Sequence, residues 1–338
     1  MHSMDSKDPA RRRLLRRGVG LAGGAALAGL GGWATAAAAT AAGAAPLAGT
    51  QLRVATYKGG DNYYFADAGV AATPYTTSVA EFSGGNLIVE ALAAGSVDCG
   101  SMSEIPPIFA LASNAPLKVI AVLRGDVNNQ VVLVPKNSAL RDAADFKGKR
   151  IGYVRSTTSH YFLIKLLEER GLTFKDVTPV ALAPQDGLAA FQSGQLDAWV
   201  IYGLVVELAK AQGARVLRTG RGILSGNYVV SAATAAIADP RKHAAIGDYL
   251  QRVAKVYAWI NAHPERWAQR SGQIVGVAPE LFLAQVRNRS QPYRLSAVDD
   301  AAIRSQQQVA DGFAAAGVLG RRIDVAPLWD RSFARYLS

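Results

Sequence analysis

Cysteine is nearly missing from this chain: Cys99 is the only one among 338 residues, so no internal disulfide can form in any compartment. Histidine is scarce as well. His2, His160, His243 and His263 lie far apart, and no pair of His or Cys stands at the spacing of a metal site. Neither a Gly-x-Ser-x-Gly elbow nor a phosphate-loop motif occurs. The chain is therefore read as a non-enzyme, with no catalytic residue, no metal and no cofactor. Blocks of like charge are missing beyond the N-terminus. The formal net charge is +11, but the basic residues are scattered and not interleaved with aromatics, which excludes nucleic acid as a partner.

What is present begins with a leader. Residues 1–17 are polar and basic, with Arg11, Arg12, Arg13, Arg16 and Arg17 close together; an apolar Gly/Ala run follows from Gly18 to Ala42, then small residues to Pro46. That order is the order of a secretory signal. Gly and Ala make the run too weakly hydrophobic for a stable membrane anchor. Ala10–Arg16 resembles a twin-arginine export motif, with two arginines, any residue, two large apolar residues and a base; an ordinary Sec signal with extra arginines is the other reading. Residues 1–45 are thus expected to be an export signal cleaved near Ala44, leaving a soluble protein in the periplasm. The leader holds six basic and two acidic residues, so +4 of the +11 leaves with it and +7 remains. A moderate positive field suits capture of small anions. The remaining chain, about 290 residues, is long enough to stabilise two lobes by burial alone.

From Gln51 onward short β-like runs alternate with helical spacing, the pattern of an α/β fold with largely parallel sheets. Leu52–Tyr57, Val79–Phe82, Val97–Gly100 and Leu117–Leu123 read as strands. Leu87, Ile88, Ala91 and Leu92 recur at helical spacing, with Gly95 as the stop. An internal echo joins the two halves: Ala91–Cys99 is mirrored by Ala190–Ala198, each a helix ending on glycine and turning into a strand whose Asp follows an apolar residue. Two similarly wound lobes follow from it. Gln130–Pro135 reads as a strand crossing out of the first lobe, and Asn227–Ser231 as the return. Lobe 1 is expected to comprise 46–133 and 229–338, lobe 2 to comprise 134–228, with almost wholly helical structure after the return and a hinged cleft between the lobes.

Candidate ligand contacts lie at strand ends, where open α/β sheets bind ligands. Ser156, Thr157, Thr158, Ser159 and His160 stand between the strand ending at Val154 and a helix from about Ser159. Hydroxyls and free N–H groups there make an anion site at the positive end of a helix; simple N-capping is the bland alternative. Lys58, Gly59 and Gly60 follow the first strand, Gly84 the second, and Ser103 and Glu104 the strand bearing Cys99. Tyr202 ends another strand, while Asn227 and Tyr228 open the return crossing. Cys99 itself sits in a buried-strand pattern and reads as an inert core thiol, and Trp199 as either core or cleft wall.

Together these motifs resemble the periplasmic aliphatic sulfonate, taurine and nitrate-type binding proteins of ABC importers. The resemblance is carried by Tyr57-Lys58-Gly59, Glu90–Asp98, Pro106–Ala110, Asp145–Arg150, Ser156–Tyr161, Phe191–Trp199 and Tyr293-Arg294-Leu295. It implies a type II binding-protein fold with two hinge strands, a small organic anion as ligand, most simply a sulfonate or sulfate ester, and an ABC permease with its ATPase as partners. Two departures stand out. Members usually have Gly-Asp-Ala before the double proline, where this chain has Ser103-Glu104-Ile105, and Trp-Asp-Pro after the strand at Trp199, where it has Tyr202-Gly203-Leu204. Desulfinases and thiamine-pyrimidine synthases resemble the same family, so an enzyme on this scaffold is the competing expectation, and a solute sensor is another.

Overall fold

The computed structural model describes residues 47–337; the expected export signal, its arginine motif and its cleavage point lie outside the described residues. Two sheets organise the chain. The first contains β1 (Gln51–Thr56), β2 (Thr76–Glu81), β3 (Cys99–Ser103), β4 (Leu117–Arg124), β10 (Asn227–Ala233) and β11 (Arg294–Ser296). The second contains β5 (Gln130–Val134), β6 (Arg150–Tyr153), β7 (Thr178–Ala181), β8 (Ala198–Tyr202) and β9 (Arg215–Thr219). Between them run α1 (Gly85–Ala93), α2 (Pro106–Ala112), α3 (Thr158–Glu168), α4 (Pro184–Gln192) and α5 (Leu204–Ala211). After β10 come α6 (Thr234–Ala238), α7 (Pro240–Ala262), α8 (Pro264–Val275), α9 (Pro279–Arg287) and, following β11, α10 (Asp300–Ala315).

The sheets share one winding. The order β2-β1-β3-β10-β4 in the first repeats as β7-β6-β8-β5-β9 in the second, with β11 added at the edge of the first. In each, the leading strand pairs in parallel with the next two, and one antiparallel strand is inserted before the last. The echo in sequence is the visible part of this duplication. Gly95 and Gly194 end α1 and α4 at φ +66° and +72°, a region that glycine enters without steric cost. Asp98 and Asp197 then lock the strands that follow. Asp98 accepts the Arg53 backbone N–H at 2.8 Å and its guanidinium at 2.6 Å, while Asp197 takes the Arg150 N–H and guanidinium, both at 2.8 Å. Each arginine also donates to the helix-ending glycine's carbonyl. One arginine on the first parallel strand thus clamps the turn that delivers its neighbour, once per sheet.

The chain enters the second sheet at Gln130, ahead of the boundary expected at 134, because Gln130–Val134 pairs with β8 and β9 over its whole length. It returns before Asn227, since Asn227 already pairs with Arg124. The two crossings touch: the Gly125 N–H donates to the Gly226 carbonyl at 2.9 Å. Gly226 has φ +75°, and a Cβ there would sit 2.5 Å from the Gly125 oxygen, so the contact requires glycine.

Other differences from the expected elements have local causes. Ser101–Ser103 lie inside β3 and not after it, because β10 lies alongside and pairs Tyr228 with Ser103. The C-terminal region is helical apart from β11, which owes its three residues to the free edge of β4. α7 and α10 start on Asp239 and Asp299, whose carboxylates accept first-turn N–H groups.

Each sheet has its own apolar core. Leu52, Ile88, Val119 and Leu250 anchor the first, and Phe146, Ile151, Phe162 and Val200 the second. Trp199 belongs to the core, fully buried and tilted against Phe191 with ring centroids 5.9 Å apart. A third cluster spans both sheets: Ile105 and Ile108 by α2, Tyr161 and Ile164 on α3, and Val309 and Phe313 on α10. α10 therefore packs against helices of both halves. Among the described residues, no helix is long and apolar enough to cross a membrane.

Candidate functional site

Helix starts on the carboxyl side of the strands are left open. Gly84, Thr157 and Gly203 are the N-caps of α1, α3 and α5, and none gives a side-chain hydrogen bond to its helix. None of the three helices has proline in its first turn, in contrast to α4, α8 and α9. First-turn N–H groups with no intrahelical partner are left at each start, together with the positive end of the helix dipole. Asp239 and Asp299 fill that role at α7 and α10, whereas the starts of α1 and α3 meet at the cleft. There, Asn86, Glu90, Pro106 and Phe109 from the first half and Arg155 and Ser156 from the second line a space of about 330 Å³.

The candidates in the Ser/Thr loop before α3 differ in where their side chains go. Thr157 is buried, and its hydroxyl donates to the Val154 carbonyl at 2.7 Å, so it does not cap α3. Ser159 is buried too: it accepts the Val154 N–H at 3.0 Å and donates to the Val200 carbonyl at 2.6 Å, tying α3 to β8. His160 is packed among Tyr153, Phe174 and Phe313 and accepts the Ser156 N–H on Nδ1 at 3.3 Å. Burial pushes its pKa down to about 4, so the ring is neutral and serves as an acceptor. Ser156 adopts φ +57°, a conformation costly for a residue with a Cβ and found at functional loops. Three of the five candidates therefore shape the loop from inside, while Ser156 and Thr158 remain part-exposed on the cleft.

Gln130 joins the halves. Its Oε1 accepts the Thr158 hydroxyl at 2.6 Å and its Nε2 donates to the Tyr228 hydroxyl at 3.1 Å. Gln130, Thr158, Glu104, Asn227 and Tyr228 share one narrow pocket of about 10 Å³, room for roughly one water. Glu104 is buried beside it, accepting from the hydroxyls of Ser225 and of Ser305 on α10. Burial outweighs those donors and pushes its pKa up to about 7. The remaining candidates are spread around the rim. Lys58 is exposed at the end of β1, Gly59 follows it, and Gly60 caps a short 3-10 helix, Asp61–Tyr64. Ser103 faces Tyr228 across β3 and β10, and Tyr202 faces Gln130 across β8 and β5.

Three residues at this site lie outside the expected set. Gln130 was read only as the start of an apolar run, although a polar residue heading such a run is itself a signal. Tyr57 ends the first strand in the sequence pattern and belongs to the Tyr57-Lys58-Gly59 motif, without being a contact candidate. Arg155 is exposed at the cleft next to Ser156. Next to Gly60, Asp61 is buried against Tyr249 of α7 with Oδ2 unpartnered, its pKa pushed up to about 6 by burial. Cys99 lies fully buried in β3, with its thiol pKa raised by burial, the opposite of an activated nucleophile.

An Escherichia coli protein named for aliphatic sulfonate binding is 32% identical over 247 residues, covering 72% of this chain and 76% of its own. The alkanesulfonate-binding protein SsuA from Xanthomonas axonopodis pv. citri, solved bound to MOPS, superposes with a TM-score of 0.78 at 28% identity, over 84% of this chain and 99% of that one. The desulfurization enzyme DSZB, at 14% identity and a TM-score of 0.59 over 84% of this chain and 97% of its own, shares the fold alone. The two-lobed architecture is that of periplasmic binding proteins of type II. With a match that runs from residue 50 to residue 266, the chain belongs to the NMT1/THI5-like family.

Proposed function

We propose that this protein is the extracytoplasmic binding component of an ABC importer and captures a small organosulfonate in the cleft between its two sheets. The observation that carries the reading is the pair of open helix starts at the cleft, on α1 in one half and on α3 in the other. A sulfonate spreads one permanent charge over three oxygens and exchanges no proton at ordinary pH. Oriented N–H groups at helix ends satisfy such a group with fixed geometry and without a titrating partner. Arg155 adds positive charge at the mouth. Names of relatives point the same way. Closure is proposed to turn on the two glycine-containing crossings, 125–129 and 220–226, and residues 1–45 to direct the protein to the periplasm, where a permease and its ATPase receive the solute.

The enzyme reading has less support. Its desulfinase form needs an accessible cysteine, and Cys99 is inside a strand. Mass spectrometry of the ligand that co-purifies with protein exported to the periplasm tests the proposal. A sulfonate is expected; a neutral or cationic solute as the sole ligand would sink it.

A further inference from the structure

We infer that Glu90 is a specificity-determining residue of the cleft: its carboxylate stands beside the ligand's tail and turns away sulfonates that carry a second negative charge there. This rests on the sulfonate reading above. The space of about 330 Å³ between the halves is bounded by Asn86, in the first turn of α1, and by Ser156, next to the N-cap of α3. Glu90 lines the same space. It follows Asn86 by four residues, so the two side chains share one face of α1, about 6 Å apart along the axis. Val89, Pro106 and Phe109 supply the apolar part of the wall. A sulfonate held at the helix starts, with its tail along that wall, therefore passes Glu90.

Among the described residues, Glu90 is the one acid that lines this space and Arg155 the one base. Neither stands within 4.0 Å of an oppositely charged group among those residues, so no neighbour neutralises the carboxylate. Glu90 also sits in the second turn of α1, past the free N–H groups that satisfy an anion at the helix start. The two ends of a bound solute thus meet opposite charge: N–H groups and Arg155 at the head, Glu90 beside the tail. Like charges about 6–8 Å apart at a wet protein surface repel enough to lower affinity about threefold to tenfold, and less as salt screens them.

Isethionate and sulfoacetate share head group and carbon count and differ at the end of the tail, a hydroxymethyl in one and a carboxylate in the other. Titration calorimetry at neutral pH therefore isolates the second charge. Wild-type protein is expected to bind isethionate about threefold to tenfold more tightly, with the gap narrowing as salt is added. Glu90→Gln should strengthen sulfoacetate binding by about that factor and change isethionate binding by less than about twofold, and Glu90→Lys should favour sulfoacetate. Both changes fall on an exposed helix position, and the wild-type ratio and its salt dependence are read without either. Sulfoacetate binding to wild-type protein as tightly as isethionate overturns the inference, as does a ratio that Glu90→Gln leaves unchanged. Binding of methanesulfonate with exclusion of both larger probes overturns the inference alone, since the space beside Glu90 then receives no tail. Binding of none of the three overturns the sulfonate reading itself and this inference with it.

Discussion

The Thr158 hydroxyl donates to Oε1 of Gln130 across 2.6 Å, a bond between the helix start proposed to hold the anion and the strand by which the chain enters the second sheet. Because Gln130 spends its amide N–H on Tyr228, it sets the direction of both the hydroxyl and the phenol. Its side chain is itself buried, so neither bond can be replaced freely by water. Gln130→Leu and Thr158→Val are each expected to weaken sulfonate binding by roughly tenfold. Their effects should not add, with a coupling of about 0.5–3 kcal/mol in a double-mutant cycle measured by calorimetry. Additive losses would mean that Thr158 meets the ligand independently of Gln130.

The duplicated Arg–Asp clamps are expected to differ in worth. Asp98 has only 1% of its side chain exposed and also takes Lys242 at 2.8 Å, whereas Asp197 is 32% exposed. Burial works against the Asp98 carboxylate, but the bonds from Arg53 and Lys242 outweigh it and hold its pKa below the usual value. Asp98→Ala should cost about 3–5 kcal/mol, since it strands buried partners. Asp197→Ala should cost about 1 kcal/mol or less. Urea unfolding of the two variants checks the ordering, and equal losses would contradict it.

Glu104 should make stability fall as pH rises. Its folded pKa of about 7 lies above the ordinary 4.5, so the folded state keeps a proton that the unfolded chain has released. Its contribution is complete below pH 4.5 and lost as pH climbs through 7. His160, with a pKa pushed from 6.5 to about 4, acts in the opposite sense and loses its contribution as pH drops. Subtracting wild type from Glu104→Gln isolates the first effect. The variant should gain on the order of 3 kcal/mol relative to wild type between pH 4.5 and 8. A pH-independent difference would show that Glu104 is ionised throughout.

Cys99→Ser is expected to leave sulfonate affinity within about twofold while costing about 1–2 kcal/mol of stability, because it places a hydroxyl in an apolar strand. Calorimetry and urea unfolding read the two numbers. Loss of a desulfonation rate on this change would establish an enzyme.

Much of the fold is legible in local patterns. The glycine stops at Gly95 and Gly194 and the apolar runs at Val54 and Val200 are short-range features, and the shared winding shows in the Asp98 and Asp197 echo. What the echo leaves unseen is the partner: Arg53 and Arg150 stand more than forty residues from their aspartates, and only strand pairing brings them in. The site is legible as a set of strand ends but not as a set of contacts. Ser159 and Thr157 look identical in kind to Thr158, yet helix phase turns the first into the core and loop geometry turns the second back to Val154. Gln130 and Tyr202 become neighbours only through the register of β5 against β8, and Gln130 meets Tyr228 only where the two sheets meet, which no local pattern encodes.

The central claim, that a small sulfonate is the ligand, is tested most directly by titrating ligand-free protein with sulfonates and with the carboxylates of identical tail, benzoate against benzenesulfonate and acetate against methanesulfonate. At least one sulfonate is expected to bind with a Kd of about 1 μM or below, near −8 kcal/mol, and more tightly than its carboxylate. Carboxylates binding as well as their sulfonates, or no sulfonate binding below about 1 mM, would contradict it.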